Sequence, residues 1–146
     1  CWPRTMKGPQ MYCLATLSVT LTLCTGLPAM AQDTIRITSP RGSVMAELND
    51  SPAAQALLAM LPLDLAMTDH LRQEKTGDLP QGLPAGDRQR GFSTGTLGLW
   101  GSGDFVIYYR DGRVPSPGIV ILGQALDDVA IFDNADPVTV RIEAAD

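Results

Sequence analysis

The amino-acid sequence predicts a mainly β protein whose strands close into a barrel, with one or two short helices. Six or seven short segments after residue 33 either alternate apolar with polar side chains or form β-branched apolar runs, both typical of strands. Glycine and proline turns separate these segments, and apolar residues recur clearly at helical spacing in one stretch. Because closing a sheet removes its exposed edges, a barrel is the expected arrangement.

The first two strands are predicted to form a β-hairpin. Residues 34–38 and 43–48 each alternate apolar with polar side chains, the period of a strand with one buried face. The connection at residues 39–42 contains Pro40 and Gly42, which favour a turn. The apolar positions of the two strands are Ile35, Ile37, Val44, Ala46 and Leu48.

A short helix is predicted to follow and to lead directly into a third strand. Ser51 can cap the helix and Pro52 suits its first position, whereas Pro62 ends it. Residues 63–69 then alternate, and His70 falls in phase with their polar face. The apolar positions of the helix are Ala53, Ala56, Leu57, Met60 and Leu61.

Residues 71–95 are predicted to be one long loop. They show little apolar periodicity and contain repeated glycines and prolines. A connection of this length exceeds the usual one several-fold, and such loops are usually functional or mobile.

The last part of the chain predicts a second hairpin and two further strands. Residues 96–100 and 104–110 flank the turn Gly101-Ser102-Gly103, and apolar side chains on both faces of residues 104–110 indicate a central strand or one that lines a groove. The remaining elements are a buried strand at residues 119–122, a brief helix within residues 126–132, and a final strand at residues 137–143.

Residues 1–31 are predicted to be a cleaved signal peptide. A basic start with Arg4 and Lys7 precedes an uncharged apolar stretch, and Ala29-Met30-Ala31 supplies the small residues that a signal peptidase reads. Cleavage after Ala31 leaves a single domain of residues 32–146, periplasmic or secreted and without a membrane segment. The three cysteines all precede the cut, so this domain can form no disulfide.

The charge of the predicted domain argues against polyanionic partners. Removing Arg4 and Lys7 from the eleven Lys and Arg leaves nine, against sixteen Asp and Glu, a formal charge of −7. Binding to nucleic acid or to an anionic membrane requires a concentrated cationic surface. We therefore expect neither as a partner.

No metal site and no cofactor are predicted. The domain has one histidine and no cysteine to act as ligands. Carboxylates cluster near the C-terminus, but their spacing does not match a calcium loop, and helix caps or turns account for them. These carboxylates belong to Asp127, Asp128, Asp133 and Asp136.

Several short motifs, in order, give the chain a resemblance to the small bacterial and archaeal cyclophilin-like domain proteins. They are an I-x-I strand at residues 35–37, A-E-L-N-D-S-P-A-A at 46–54, L-L-x-M-L-P-L at 57–63, E-K-T-G-D-L-P at 74–80 and L-W-G-x-G-D at 99–104. The resemblance implies a compact barrel of the cyclophilin shape and a domain without an established activity. Cyclophilins with isomerase activity carry F-H-R, whereas here His70 is followed by Leu71. A shared fold does not by itself imply a shared reaction.

The aromatic residues suggest a binding groove. Trp100, Phe105, Tyr108 and Tyr109 fall within ten positions, and Trp and Tyr often keep a polar tip at a wet surface. We expect a peptide segment, a protein or a small molecule to bind there without catalysis, although ordinary core and surface roles also explain these residues. The predicted ligand-binding residues are His70, Glu74, Trp100, Tyr108, Tyr109, Arg110 and Arg113.

Two other functions remain open at this point. A peptidyl-prolyl cis-trans isomerase, or a hydrolytic enzyme, would use His70, Arg110 or Arg113 as its catalytic groups. A purely structural partner domain would use none of them.

Overall fold

The computed structural model describes residues 33–145 and confirms a closed, mainly β barrel with one α-helix. Eight of its eleven strands form the barrel, and three two-residue strands (β5, β6 and β9) lie outside the closed ring. The elements are β1 (Thr34–Ser39), β2 (Gly42–Leu48), α1 (Pro52–Ala59), β3 (Leu63–His70), β4 (Glu74–Asp78), β5 (Arg88–Gln89), β6 (Gly91–Phe92), β7 (Thr96–Trp100), β8 (Asp104–Tyr108), β9 (Gly112–Arg113), β10 (Ile119–Ala125), a 3-10 helix (Ala130–Phe132) and β11 (Val138–Ala144).

The barrel closes where the two ends of its strand order meet. The order is β2, β1, β11, β3, β4, β8, β7 and β10, with every pair antiparallel. Strand β10 pairs with β7 on one side and with β2 on the other, where Gly123 lies opposite Leu48. The opening hairpin and the final strand therefore sit side by side although they come from opposite ends of the described chain.

Alternating apolar side chains fill the interior as the sequence predicted. Ile35 and Ile37 of β1 and Val140 and Ile142 of β11 are fully buried there. Helix α1 packs Ala53, Ala54 and Leu57 onto the same core. The Ser51 hydroxyl accepts a hydrogen bond from the Ala54 amide at 3.2 Å, which confirms the predicted N-cap.

The prediction of one loop at residues 71–95 is wrong. Glu74–Asp78 forms β4, a central barrel strand between β3 and β8. Its inward positions are Lys75 and Gly77, opposite Ile107 and Phe105 of β8, so the strand has no apolar alternation to reveal it. The remainder of the segment is irregular apart from the two-residue strands β5 and β6.

A small flap covers the outer face of one part of the barrel. Strands β6 and β9 pair with each other, and the Phe92 ring stacks on Tyr108 at 3.8 Å between centroids. Val106, Val114 and Ile119 complete this second apolar cluster. Strand β8 is therefore central and buried on both faces, as the sequence predicted.

The C-terminal predictions are confirmed with one change. Strands β10 and β11 lie where the sequence predicted them, but the brief helix within residues 126–132 shrinks to one 3-10 turn, Ala130–Phe132. Leu126 is exposed rather than packed against the core. Among residues 33–145, α1 and the 3-10 turn are both too short to cross a bilayer.

Candidate functional site

The structure divides the predicted site residues between two faces of the barrel wall. Trp100 and Tyr108 belong to the outer apolar cluster, whereas Tyr109 packs with the interior core. One groove containing both Trp100 and Tyr109 is therefore not formed, because successive side chains of a strand point to opposite faces. Arg110 is exposed just beyond β8, and Arg113 is exposed on β9.

Strand register brings three of the predicted residues together on the outer face. The β3–β4 hairpin places His70 opposite Glu74, and the β4–β8 pairing places Glu74 opposite Tyr108. Directly opposed residues of an antiparallel pair have neighbouring side chains. Trp100, at the end of β7, lies opposite Asp104 of β8 and completes the group.

A cavity of about 390 Å³ opens beside this group. Thr76, Gly101 and Asp104 join the predicted residues in its wall, and the sequence indicated none of these three as a site residue. Thr76 shares the outer face with Glu74 because it lies two positions further along β4, a strand without an apolar pattern. Asp104 is placed at the cavity by its pairing with Trp100 in the β7–β8 hairpin. The lining residues are His70, Glu74, Thr76, Trp100, Gly101 and Asp104, and we call this space the Glu74 cavity.

The carboxylate of Glu74 is buried without a hydrogen-bond partner. Its side chain is 1% exposed, and neither oxygen accepts a hydrogen bond within the described residues. Burial raises its pKa; the Tyr108 hydroxyl and the His70 imidazole oppose the rise without cancelling it. The His70 Nε2 atom lies 3.8 Å from Glu74 Oε1, beyond hydrogen-bond distance, and the His70 side chain is 52% exposed.

Tyr108 lies opposite Glu74 in the β4–β8 ladder and does not itself line the cavity. Its ring is fully buried under Phe92, and its hydroxyl has no hydrogen-bond partner in residues 33–145. Burial, together with the neighbouring Glu74 carboxylate, raises the pKa of Tyr108, so the phenol stays protonated. Two polar groups that usually find partners when buried thus meet beside the cavity without one.

Asp104, the second carboxyl group in the cavity wall, is paired with Asp78 outside it. Asp104 lies opposite Asp78 in the β4–β8 ladder. The hydrogen bond that links the two carboxyl groups raises the pKa of Asp104, and burial adds to the rise. The cavity therefore has an acidic wall, with His70 as the basic residue among its six lining residues.

Replacing Glu74 by glutamine should change how stability depends on pH. Because the pKa of Glu74 is raised in the folded protein, protonation of Glu74 stabilises the fold. This stabilisation is fully present below the unfolded-state pKa of 4.5 and is lost as pH rises through the folded-state pKa. Glu74→Gln removes this loss. The variant should match the wild type at pH 4 and be more stable at pH 7 by on the order of 1 kcal/mol.

Urea unfolding at several pH values measures this effect. His70, Tyr108 and Asp104 surround Glu74 and remain unchanged in the variant. Glu47→Gln on β2, outside the Glu74 cavity, is the matched control and should show no such difference. Equal stability of Glu74→Gln and wild type at both ends of the pH range would show that Glu74 titrates normally.

Of the other predicted residues, only Tyr109 belongs to a polar network at the interior end of the barrel, whereas Arg113 lies apart from it on β9. Lys75 is fully buried; its Nζ donates to the backbone carbonyls of Asn134 at 2.6 Å and Asp136 at 2.7 Å, and lies 3.3 Å from Asp69 Oδ1. Tyr109 donates its hydroxyl proton to the same Asp69 oxygen. Because these groups are mutually satisfied, we assign the network a structural role.

The network also fixes the ionisation of its members. Burial pushes the pKa of Asp69 upward, but hydrogen bonds from Tyr109 and Lys75 outweigh it and hold the pKa below its usual value. Burial and the Asp69 carboxylate raise the pKa of Tyr109 to about 12. Arg110 pairs with Asp133 at 3.3 Å beside this network.

The C-terminal carboxylates are engaged in turns and ion pairs. Asp127 accepts a hydrogen bond from the Met45 amide at 2.8 Å, and Asp128 accepts one from the Ala130 amide at 2.9 Å. Asp136 pairs with Arg41 at 3.2 Å. No group of three or more potential metal ligands occurs within residues 33–145.

The arrangement at the Glu74 cavity is suited to binding. Trp100 offers an apolar wall, Thr76 a hydroxyl, and Glu74 and Asp104 two carboxyl groups around the same opening. Small-molecule sites typically combine an apolar lining with a few convergent polar groups of this kind. Because Glu74 is buried, water would screen little of the electrostatic interaction between its carboxyl group and a ligand.

Comparisons with known proteins support the barrel fold. A search of curated proteins finds no match. Among solved structures, the solution structure of a hypothetical protein from Archaeoglobus fulgidus is similar, with a TM-score of 0.63 and 14% identity over 78% of this chain and 95% of that one. At this identity the likeness concerns the fold alone. The model of the Cyclophilin-like family matches residues 37–143, more than half of the sequence, and the chain therefore belongs to that family.

Proposed function

We propose that this protein is an exported cyclophilin-like domain that binds a small ligand, a metabolite or a short peptide segment, in the Glu74 cavity. The observation that carries the proposal is the buried Glu74 carboxylate, which has no hydrogen-bond partner in residues 33–145 and forms part of the wall of a cavity of about 390 Å³. A buried carboxyl group without a hydrogen bond is costly, and native proteins retain one chiefly where it serves a site.

The neighbours of Glu74 support binding rather than packing. Trp100 is only partly buried although it adjoins the outer apolar cluster, so part of its ring remains available to a ligand. Thr76 and Asp104 add a hydroxyl and a carboxyl group to the same wall. The cavity size matches the lower range of small-molecule sites, about 300–1,000 Å³.

Export is part of the proposal and rests on the sequence. Residues 1–31 have the basic start, apolar stretch and small-residue cleavage site of a signal peptide. Expression of the full chain in a bacterial host should yield a periplasmic or secreted product whose N-terminal sequencing begins at Gln32. An intact leader in the recovered protein would contradict this part.

Binding can be tested by NMR with ¹⁵N-labelled protein and a library of short peptides, amines, organic acids and nucleosides. We expect saturable shifts of the amides of Thr76 and Gly101 and of the Trp100 indole N–H, assigned with Trp100→Phe. Thr76→Tyr, which places a ring in the cavity, should abolish them. Thr34→Tyr on the outer face of β1 is the matched control and should preserve them.

Two outcomes would overturn the proposal. One is the absence of any saturable response at these residues across the library. The other is prolyl isomerase activity, in a protease-coupled assay, that is well above background and is lost in Arg110→Ala, because it would place the function at the opposite face of the wall.

A further inference from the structure

We propose that the ligand of the Glu74 cavity is an organic cation, whose ammonium or guanidinium group pairs with Glu74 and lies against the ring of Trp100. This inference rests on the proposed function and adds the chemical class of the ligand. It follows from four features of the cavity wall: its charge, the buried Glu74 carboxyl group without a hydrogen bond, its aromatic residue and its lack of a metal-binding geometry.

The charge of the wall favours a cation. Its six residues include the carboxyl groups of Glu74 and Asp104, and Asp78 adds a third in contact with Asp104. Lysine and arginine are absent from the lining, and His70 stays 3.8 Å from the Glu74 carboxylate. An anionic ligand would meet like charge, whereas a cation would find a charge-assisted hydrogen bond.

Glu74 lacks the partner that a cation would supply. Neither of its oxygens accepts a hydrogen bond within the described part of the chain, and the half-exposed His70 side chain is its nearest cationic neighbour, at 3.8 Å. An N–H donor that carries a positive charge satisfies the hydrogen bond and the charge together. A neutral donor satisfies only the first.

Trp100 supplies a second contact that is specific for cations. Tryptophan is the aromatic side chain with the strongest attraction for an ammonium or guanidinium group over its ring face. It is partly exposed at the cavity, opposite Asp104 in the β7–β8 hairpin. An alkyl chain attached to the cationic group would cover the remaining apolar surface.

A metal ion fits the cavity less well. Divalent cations require several oxygen or nitrogen ligands converging at short distances. No such group of three residues occurs in residues 33–145, and Asp104 is already engaged with Asp78. The acidic wall is therefore better matched to a monovalent organic cation with directional N–H donors.

A series of probes with the same carbon chain tests the inference. The probes are n-butylammonium chloride, n-butylguanidinium chloride, n-butanol and sodium butyrate, titrated at constant ionic strength into ¹⁵N-labelled protein and followed at Thr76, Gly101 and the Trp100 indole. We expect the two cations to bind at least about tenfold more tightly than n-butanol, because hydrogen bonds between charged groups are the stronger ones. Butyrate should bind most weakly.

Matched variants assign the effect to Glu74. Glu74→Gln should lower the affinity for n-butylammonium at least about tenfold and leave that for n-butanol unchanged. Glu47→Gln should alter neither affinity. If Glu74→Gln does not give a folded spectrum, Asp104→Asn serves as the second variant and should weaken the binding of both cations.

The outcomes separate the two proposals. Equal or tighter binding of n-butanol or butyrate in the cavity would overturn the cation inference and leave the proposed function standing. Tighter binding of calcium or magnesium chloride at the same residues would also overturn it. No response to these probes or to the wider library would remove the proposed function itself.

Discussion

Replacing Gly123 by alanine is expected to lower the free energy of unfolding by about 3 kcal/mol or more. A Cβ atom at this position would lie 2.0 Å from the backbone oxygen of Glu47 and 2.9 Å from its carbonyl carbon. These are backbone atoms of β2, so they cannot turn aside as a side chain could. Gly123 also sits at the register shift of β10 against β7, where the strand changes partners to close the barrel.

Urea denaturation followed by circular dichroism measures the effect of Gly123→Ala. Gly103→Ala is the matched control, because a Cβ there meets no atom within 4 Å. It should change stability by less than about 0.5 kcal/mol. A Gly123→Ala variant as stable as Gly103→Ala would show that the β2–β10 contact is not what holds the barrel closed.

Lys75→Met is expected to cost about 3 kcal/mol. The Lys75 side chain is fully buried, and its ammonium group satisfies the backbone carbonyls of Asn134 and Asp136 as well as Asp69. Methionine has a similar shape but no donor. The variant would leave the Asn134 and Asp136 carbonyls without their donor and remove the cation that faces a carboxylate only 10% exposed.

An acid titration gives Lys75→Met a second, independent readout. The lowered pKa of Asp69 means that its stabilisation is present above the unfolded value of 3.8 and is lost as pH falls through the folded value. Without Lys75 the pKa of Asp69 rises, so the variant should lose this stabilisation at a higher pH than the wild type. A wild-type acid midpoint in Lys75→Met would contradict the assigned network.

Arg141→Met is the control for removing a paired cation. Arg141 pairs with Asp64 at 3.3 Å, but their side chains are 49% and 65% exposed. Exposed ion pairs contribute at most about 1 kcal/mol. The urea midpoint of Arg141→Met should therefore stay close to that of the wild type. A loss as large as that of Lys75→Met would indicate that removal of any paired cation from the barrel, rather than burial, determines the cost.

The fold class was predictable because most barrel strands carry their own signal. Strands β1, β2, β3 and β11 alternate apolar with polar residues, since one face packs inward and the other meets solvent. Such alternation is a local property of the chain. The turns are local too: Gly101-Ser102-Gly103 joins β7 to β8 where the sequence placed it.

Strand β4 was not predicted because the residues that it buries are not apolar. Its inward residues are Lys75, held by a polar network, and Gly77, where a Cβ would lie 2.8 Å from the Ala66 backbone oxygen. Its outward residue Glu74 is buried as well, under neighbours from β3 and β8. Neither face has the apolar pattern by which buried strands are recognised.

The sequence by itself determined the barrel class, the helix after Ser51 and the family, because these depend on patterns within each short segment. It also singled out His70, Glu74 and Trp100 as candidates. Only the tertiary structure decided that these three share a cavity while Tyr109 lies on the opposite face of the wall. The reason is strand pairing: the burial of Glu74 is set by β3 and β8, and no local pattern along the chain specifies which strands become neighbours.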